Sequence, residues 1–391
     1  MSNSQEPKTG PLAGIRVIEM AGIGPVPLAG LILGELGAEV VRIDRLKAPA
    51  SFLPLPPEAD LDRMGRSIVR VDLKAEKGTA FMLDLCRGGD ILLEGFRPGV
   101  MERLGLGPDA CHAVNPGLVY GRMTGFGQDG PLAQRAGHDL TYLALSGVLS
   151  TIGPAGGKPV PPLNLVADYG GGTMFLIAGV LSALIERSHS GCGQVVDAAM
   201  VDGASKLASL FFSMRFAGLW QDGRGTNLLD SGAPFYDTYE TSDGGFVAVA
   251  CLEPQFFAEF AALLPLPEAL AKAQYDRKLW PEMRSVIAER LKQKNRDEWA
   301  ELFADTDACV APVLGLGEAP EHPHNRARNT HVGEDGFVRP AAAPRFSRTP
   351  GAPAAASAAT SERSHVATVL SGFGIRHAST RDLLDSGIIV I

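Results

Sequence analysis

The stretch "GIRVIEMAGIGPVPLAGLILGELGAEVVRIDR", residues 14–45, joins two β-branched runs through an apolar, helix-like run. This strand–helix–strand order predicts two parallel strands connected by a helical crossover. Three more strand-like runs follow at 68–74, 90–96 and 117–127, and a helical run lies at 77–89. The alternation predicts an α/β fold with a Rossmann-like parallel sheet, on which ligands bind beyond the carboxyl ends of the strands.

The pattern changes after about residue 198. A long helical run precedes two strand-like runs, further helical material and a Pro- and Ala-rich stretch, after which two helices are predicted at the C-terminus. We expect a large domain and a smaller α+β domain, divided as follows: the N-terminal part of the large domain at 1–198, linker helices at 199–236, the small domain at 237–316, a return linker at 317–341, and a C-terminal segment at 342–391 that rejoins the large domain.

Composition excludes several classes of partner. The chain has 36 Lys and Arg against 44 Asp and Glu, a net charge of −8, which argues against nucleic-acid binding. The apolar run at 174–186 is shorter than a membrane span and is predicted to be a buried helix. The N-terminus lacks the pattern of a signal peptide, and the five cysteines form no C-x-x-C pair. We therefore expect a cytoplasmic protein without a membrane partner.

Two glycine-rich stretches resemble nucleotide-binding motifs but lack their context. "GFGQDG" at 125–130 is followed by Pro131 rather than by a helix, and "AGIGPVPLAG" at 21–30 has Pro27 in place of the third glycine. Three histidines at 322, 324 and 331 have no carboxylate or cysteine pattern beside them, which favours a loop over a metal site. We expect neither a metal nor a separate cofactor.

Three acid–base side chains stand where helices are predicted to begin: His138 in "GHDLTY", Asp168 before three glycines, and Glu253 in "LEPQFF". Helix capping explains any one of them. The glycines at 170–172 suggest that the backbone approaches a ligand closely. A helix N-terminus is expected to hold His138 neutral and Asp168 ionised, so that both can act as bases.

Basic residues cluster in the first part of an otherwise acidic chain, a pattern that suits a phosphorylated ligand. They are Arg42, Arg45, Arg63, Arg66, Arg70, Lys74, Arg97 and Arg103.

Ordered segments along essentially the whole chain resemble the family of class III CoA-transferases and α-methylacyl-CoA racemases. Among them are "EGFRPGVMERLGLGP", "RMTGFGQDGP", "AGHDLTY", "PLNLVADYGGG" and "LEPQFF". The resemblance implies an interlocked homodimer, with a site between the large domain of one subunit and the small domain of the other.

Three positions separate the branches of this family. Its CoA-transferring members use an Asp matching Asp168 as a nucleophile and generally lack the Gly-His-Asp found here at 137–139, whereas its racemase-like members have residues matching His138, Asp168 and Glu253. The resemblance therefore implies epimerisation of 2-methylacyl-CoA thioesters in lipid metabolism. In this reaction His138 and Asp168 exchange protons with opposite faces of the α-carbon.

The resemblance also implies roles for neighbouring residues. The main-chain N–H of Asp139 would bind the enolate oxygen, and Glu253 would orient the imidazole of His138. CoA would lie along the large domain, with Arg45 and Arg97 near its phosphates. The other expected contacts with substrate or CoA are Val71, Asp72, Leu73, Lys74, Gly137, Leu140, Thr141 and Tyr142.

Two alternatives to epimerisation stay open. One is a CoA-transferase in which Asp168 forms an acyl-enzyme, and the other is a non-catalytic acyl-CoA-binding protein. The sequence does not indicate the acyl chain, the stereochemical preference or the role of the Pro-rich stretch at 46–66.

Overall fold

The computed structural model describes residues 9–47, 55–56, 59–60, 63–334, 336–354 and 363–391, and it leaves out the side chain of Glu334. Much of the Pro-rich stretch at 46–66 lies outside these residues. The chain forms two compact units. The first contains Met1–Ser146, Leu163–Leu207 and Arg328–Ile391, and the second contains Gly147–Pro162 and Ala208–Ala327.

A seven-stranded sheet forms the centre of the first unit. Its strands are β1 (Arg16–Met20), β2 (Glu39–Arg45), β3 (Ser67–Val71), β4 (Ile91–Glu94), β5 (Val119–Thr124), β6 (Val195–Ala199) and, near the C-terminus, β12 (Ile389–Val390). Their order across the sheet is β12-β3-β2-β1-β4-β5-β6, and every neighbouring pair is parallel except β12 and β3. The predicted parallel α/β sheet is therefore confirmed.

The strand order defines where a ligand can bind. The chain builds the sheet outward from β1 through β2 to β3, then returns to β4 on the other side of β1. The crossovers leave β1 and β4 in opposite directions, and in such sheets ligands bind beyond the carboxyl ends of the two strands at which the direction changes. The topology of the first unit thus favours a binding site between the loop after β1 and the loop after β4.

Helices pack against this sheet and close its core. They are α1 (Pro25–Glu35), α2 (Glu76–Gly88), α3 (Val100–Arg103), α4 (Pro108–Val114), α5 (Asp139–Leu145), a π-helical segment (Leu165–Thr173), α6 (Met174–Ser190) and α7 (Met200–Leu207). The core contains strand residues such as Ile18, Val41 and Leu92, together with Leu370 and Ile389 from the C-terminal segment. Burial of these apolar side chains is the main favourable contribution to folding.

Two strands depart from the sequence-based prediction. The sequence predicts a helical run after about residue 198 and no strand directly before it, but Val195–Ala199 form β6 at the edge of the sheet. The last segment was expected to be a second helix; its helix ends at Asp385 and Ile389–Val390 pair antiparallel with β3. In both cases a short β-branched run adds to an open sheet edge, which no local periodicity reveals.

The π-helical segment and α6 run continuously from Leu165 to Ser190, and these 26 residues are long and apolar enough to cross a membrane by length and composition alone. In the structure, however, α6 packs on β5 and β6. Its residues Leu176 and Val180 are fully buried. The sequence prediction of a buried helix therefore holds for the face of α6 that contacts the sheet, whereas Ile185 is 64% exposed.

The second unit is α+β. Its antiparallel sheet has the order β7-β8-β9, with strands β7 (Tyr236–Glu240), β8 (Phe246–Ala250) and β9 (Val310–Pro312). Its helices are α8 (Ser209–Phe216), α9 (Pro254–Leu263), α10 (Glu268–Ala271), α11 (Trp280–Leu291), α12 (Arg296–Phe303) and α13 (Pro323–Arg328). An aromatic core that includes Phe235, Phe257, Phe260 and Trp280 joins sheet and helices.

The chain then returns to the first unit. A hairpin of β10 (His331–Glu334) and β11 (Phe337–Pro340) is followed by α14 (Arg363–Gly372) and α15 (His377–Asp385). Among the described residues no group of three or more His, Cys, Asp or Glu could hold a metal.

Candidate active site

Asp168 lies beside the loop after β1 in the first unit. A β-carbon built on Gly24, in the loop after β1, would lie 3.3 Å from Asp168 Oδ2. Gly24 also has a φ of 72°, a conformation that favours glycine. This loop and the Asp168 carboxyl group therefore meet where the sheet topology predicts a ligand.

Two of the three glycines at 170–172 serve helix packing. A β-carbon on Gly171 would lie 2.6 Å from the backbone nitrogen of Ala204, and one on Gly203 would lie 1.8 Å from the oxygen of Gly171. A β-carbon on Gly172 would lie 2.9 Å from Met200 Cγ. The expectation that these glycines open the backbone to a ligand is wrong for Gly171 and Gly172, because α7 fills that space.

His138 and Asp139 lie at the start of α5, the helix that the sequence predicts. His138 is exposed at the N-cap position, and its backbone N–H donates to Thr141 Oγ1 over 3.0 Å. The Thr141 hydroxyl donates in turn to His138 O over 2.7 Å. The imidazole is thus presented to solvent on a turn whose backbone is fixed by the side chain of Thr141.

The carboxylate of Asp139 connects this turn to the segment that carries Asp168. Its Oδ1 atom accepts hydrogen bonds from the backbone N–H of Ala167 over 2.9 Å and of Asp168 over 2.7 Å. Sequence reasoning considered only the main chain of Asp139 and missed this contact. No sequence pattern signals it, since 28 residues separate Asp139 from Ala167.

The environment of Asp168 raises its pKa to about 6. Burial is the largest cause, and the neighbouring Asp139 carboxylate adds to it, while a hydrogen bond from Asn164 and the charge of His138 lower the pKa. We expected a helix N-terminus to favour the ionised form. The pKa is raised instead, because burial and the charge of Asp139 outweigh the effect of the helix N-terminus, in whose first turn Asp168 lies.

Tyr142 packs beside the same carboxylates. A β-carbon on Gly125 or Gly137 would overlap its ring, and the ring of Phe126 meets it edge-on at 4.9 Å between centroids. Burial and the charge of Asp168 raise the pKa of Tyr142 to about 12, which Arg97 opposes. The "GFG" of the failed nucleotide motif therefore supports Tyr142, a role that sequence reasoning missed.

Some of the basic residues follow the carboxyl ends of the strands. Arg45 lies over the ring of Phe96, 5.9 Å from its centroid, and is the register neighbour of Val71. Arg97 follows Phe96 and is exposed. The next residues after β3 turn at Asp72, whose Oδ1 accepts from the backbone N–H of Lys74 over 3.1 Å. Arg45, Arg97 and the segment 71–74 thus lie at the carboxyl ends of the strands. Leu140, next to Asp139 in the chain, is exposed.

Other arginines of the predicted cluster are not available to a phosphate. Arg66 is fully buried and its Nε donates to Glu19 over 3.0 Å. Arg42 contacts both Glu19 and Asp44, and Arg63 also pairs with Asp44. Arg42 and Arg66 are neutralised inside the protein, and the partly exposed Arg63 has a carboxylate partner, so these three members of the basic cluster are already paired.

Glu253 belongs to the second unit. It is exposed at the N-cap of α9, where its side chain makes no capping hydrogen bond. The residue before it is held by two side chains: Gln274 Nε2 donates to Leu252 O over 2.8 Å, and the Tyr275 hydroxyl donates to the same oxygen. The capping alternative therefore does not explain Glu253.

The first unit thus brings together Gly137, His138, Asp139, Thr141, Tyr142 and Asp168. The charge of Arg97 acts on this group through Tyr142. Two carboxyl groups and one imidazole within electrostatic reach of each other can remove and return protons. The glycine-lined loop after β1 leaves access beside Asp168.

Comparison with known proteins identifies the family of the chain. Residues 12–359 match the profile of CoA-transferase family III. The chain is 46% identical over 345 residues to the alpha-methylacyl-CoA racemase of Mus musculus, covering 88% of each chain. It is 44% identical to the alpha-methylacyl-CoA racemase of Homo sapiens, again over 88% of each. The crystal structure of a CAIB/BAIF family protein from Brucella suis shares the fold, with a TM-score of 0.78, 24% identity and coverage of 94% of this chain and all of the other. This chain therefore belongs to CoA-transferase family III.

Proposed function

We propose that the protein epimerises 2-methylacyl-CoA thioesters by 1,1-proton transfer, with His138 and Asp168 as the two bases. The observation that carries the proposal is the position of Asp168. Its carboxyl group, with a pKa raised to about 6, lies beside the loop after β1, and its backbone is joined through Asp139 to the turn that presents His138. The identity of 44–46% to alpha-methylacyl-CoA racemases supports the same reaction.

Each turnover moves one proton off the substrate and another onto it. One base takes the α-proton, and the electron pair moves onto the thioester oxygen as an enolate. The conjugate acid of the other base then returns a proton to the opposite face, which inverts the centre. A pKa of about 6 suits this exchange, because near neutral pH Asp168 is ionised and yet basic enough to accept a proton.

The enolate oxygen needs a preorganised donor. Asp139 is the first residue of α5, where a backbone N–H has no partner within the helix. This N–H, immediately after His138, would donate to the thioester oxygen as negative charge develops. One turn then supplies both a base and the group that stabilises the enolate.

We assign the CoA part of the substrate to the residues at the carboxyl ends of the strands. Arg45 and Arg97 would bind the phosphates of CoA, and residues 71–74 the adenosine. Three exposed apolar side chains next to the catalytic group, Ile23, Leu140 and Leu165, offer a surface for the acyl chain. CoA is part of the substrate, and we propose that no other cofactor is required.

We also propose a cytoplasmic homodimer. Helix α8 and the residues after it expose large apolar side chains, including Phe212, Phe216 and Leu219. Such a patch is typical of a protein–protein interface. In this dimer Glu253 of the partner subunit would orient the imidazole of His138.

The alternative reaction, transfer of CoA to a second carboxylic acid through Asp168, differs in its isotopic signature. A single epimer of 2-methylacyl-CoA, incubated with the protein in D₂O without any acceptor acid, is expected to exchange its α-hydrogen and to give the other epimer. His138→Ala and Asp168→Ala should each slow turnover by roughly 10²- to 10⁴-fold. CoA transfer that requires an acceptor and proceeds without α-exchange would contradict the proposal.

A further inference from the structure

The carboxylate of Asp139 has no task in the mechanism above, which uses only its backbone N–H. Its environment is nevertheless unusual. The residue is 6% exposed, and its Oδ1 atom accepts from two consecutive backbone N–H groups, those of Ala167 and Asp168. These bonds tie the first residue of α5 to the π-helical segment at the residue that carries the second base.

The other oxygen of the same carboxylate is left without a donor. Asp139 Oδ2 is buried and has no hydrogen-bond partner among the described residues. A buried charge that is only partly satisfied acts strongly on its neighbours, because little water screens it. The neighbour is the Asp168 carboxyl group, whose pKa the Asp139 charge raises.

The surroundings of Asp168 contain few groups that oppose this effect. From α5 it is faced by Asp139, by the Tyr142 hydroxyl and by His138 at the N-cap. Within its own segment it is faced by the amide of Asn164, 3.5 Å from Oδ2. The loop after β1 contributes Gly24, which carries no charge. Among the described residues, Asp139 is the carboxylate whose charge raises the pKa of Asp168.

We propose that the Asp139 side chain is a positioning residue that fixes Asp168 opposite His138 and strengthens Asp168 as a base. This inference rests on the proposed function, since it requires Asp168 to accept a proton. The backbone of Asp139 would hold the enolate oxygen while its side chain holds the backbone of Asp168. One residue would thus set the distance between the enolate oxygen and the second base.

Asp139→Asn separates charge from geometry, because an amide oxygen can still accept from both N–H groups. We expect the acidic limb of the kcat/KM–pH profile for epimerisation to move to lower pH by roughly one unit. Asp139→Ala removes the acceptor as well and should lower kcat about 10²-fold with little change in KM. Asp109→Asn, the same charge change at an exposed residue of α4, is the matched control and should retain the wild-type profile.

An unchanged acidic limb in a folded Asp139→Asn protein would overturn the inference, as would a wild-type kcat in Asp139→Ala. Should Asp139→Ala fail to fold, the profile of Asp139→Asn decides. The proposed function fails in a different way: the wild-type protein itself would then show no α-hydrogen exchange.

Discussion

Asp168 illustrates at the scale of one residue how function and stability oppose each other. Its pKa is raised from 3.8 to about 6, so between these values the folded protein binds more protons than the unfolded chain. Stability therefore falls as pH rises through this window, and the full penalty is present above it. The same burial that makes Asp168 a stronger base makes its ionised form unfavourable.

Replacing this carboxyl group should stabilise the fold. We expect Asp168→Asn to raise the free energy of unfolding by on the order of 2 kcal/mol at pH 8 and to change it little at pH 4. Denaturant unfolding at the two pH values measures the difference, with Asp109→Asn as the control. An equal effect at both pH values would show that charge burial is not the cause.

The sequence identified His138 and Asp168 because local motifs surround them. It could not predict the raised pKa, because that depends on the side chain of Asp139, which lies 29 residues before Asp168. It also could not tell which arginines of the basic cluster are already paired, since only the folded structure shows that Glu19 and Asp44 contact Arg42, Arg63 and Arg66.

At the scale of elements, the contact between the π-helical segment and α7 positions Asp168. Gly171 and Gly203 allow the two backbones to touch, since a β-carbon on either would overlap the other helix. Strands β1 to β5 were predictable because each is a compact apolar run. The strand β6 was not, because its short run stands directly before a helix and gains its partner only from β5.

A methyl group at this contact should disturb both stability and activity. Gly203→Ala is expected to destabilise the protein by about 1–3 kcal/mol, as overpacking does, even though alanine favours a helix. It should also lower kcat, because the segment that carries Asp168 is displaced. Gly372→Ala, in α14, is the control, since nothing lies within 4 Å of its added β-carbon. Equal thermal stability of the two variants would contradict this role of the contact.

At the scale of the whole molecule, the C-terminus completes the sheet that the N-terminus begins. Ile389 is fully buried and pairs with Val71, and the backbone N–H of Asp72 donates to Ile388 O over 3.0 Å. The final strand thus supports the segment that we propose binds the adenosine. Sequence analysis predicted the return of the chain but not the strand, because its partner lies more than 300 residues earlier.

Shortening the side chain of Ile389 should lower both the stability of the protein and its affinity for the substrate. Ile389→Ala is expected to lower the free energy of unfolding by about 2–4 kcal/mol and to raise KM for the acyl-CoA more than it lowers kcat. Val390→Ala, one residue later and partly exposed, should have a much smaller effect. An unchanged KM in Ile389→Ala would show that the C-terminal strand does not support CoA binding.

The isotopic course of one turnover tests the two-base reaction most directly. A single 2-methylacyl-CoA epimer is incubated with the wild-type protein in D₂O, and both epimers are separated and analysed by mass spectrometry before equilibrium is approached. If His138 and Asp168 act from opposite faces, the newly formed epimer carries deuterium at the α-carbon while the remaining substrate retains hydrogen. A new epimer that retains the original hydrogen would show that a single base serves both faces, and would contradict the mechanism.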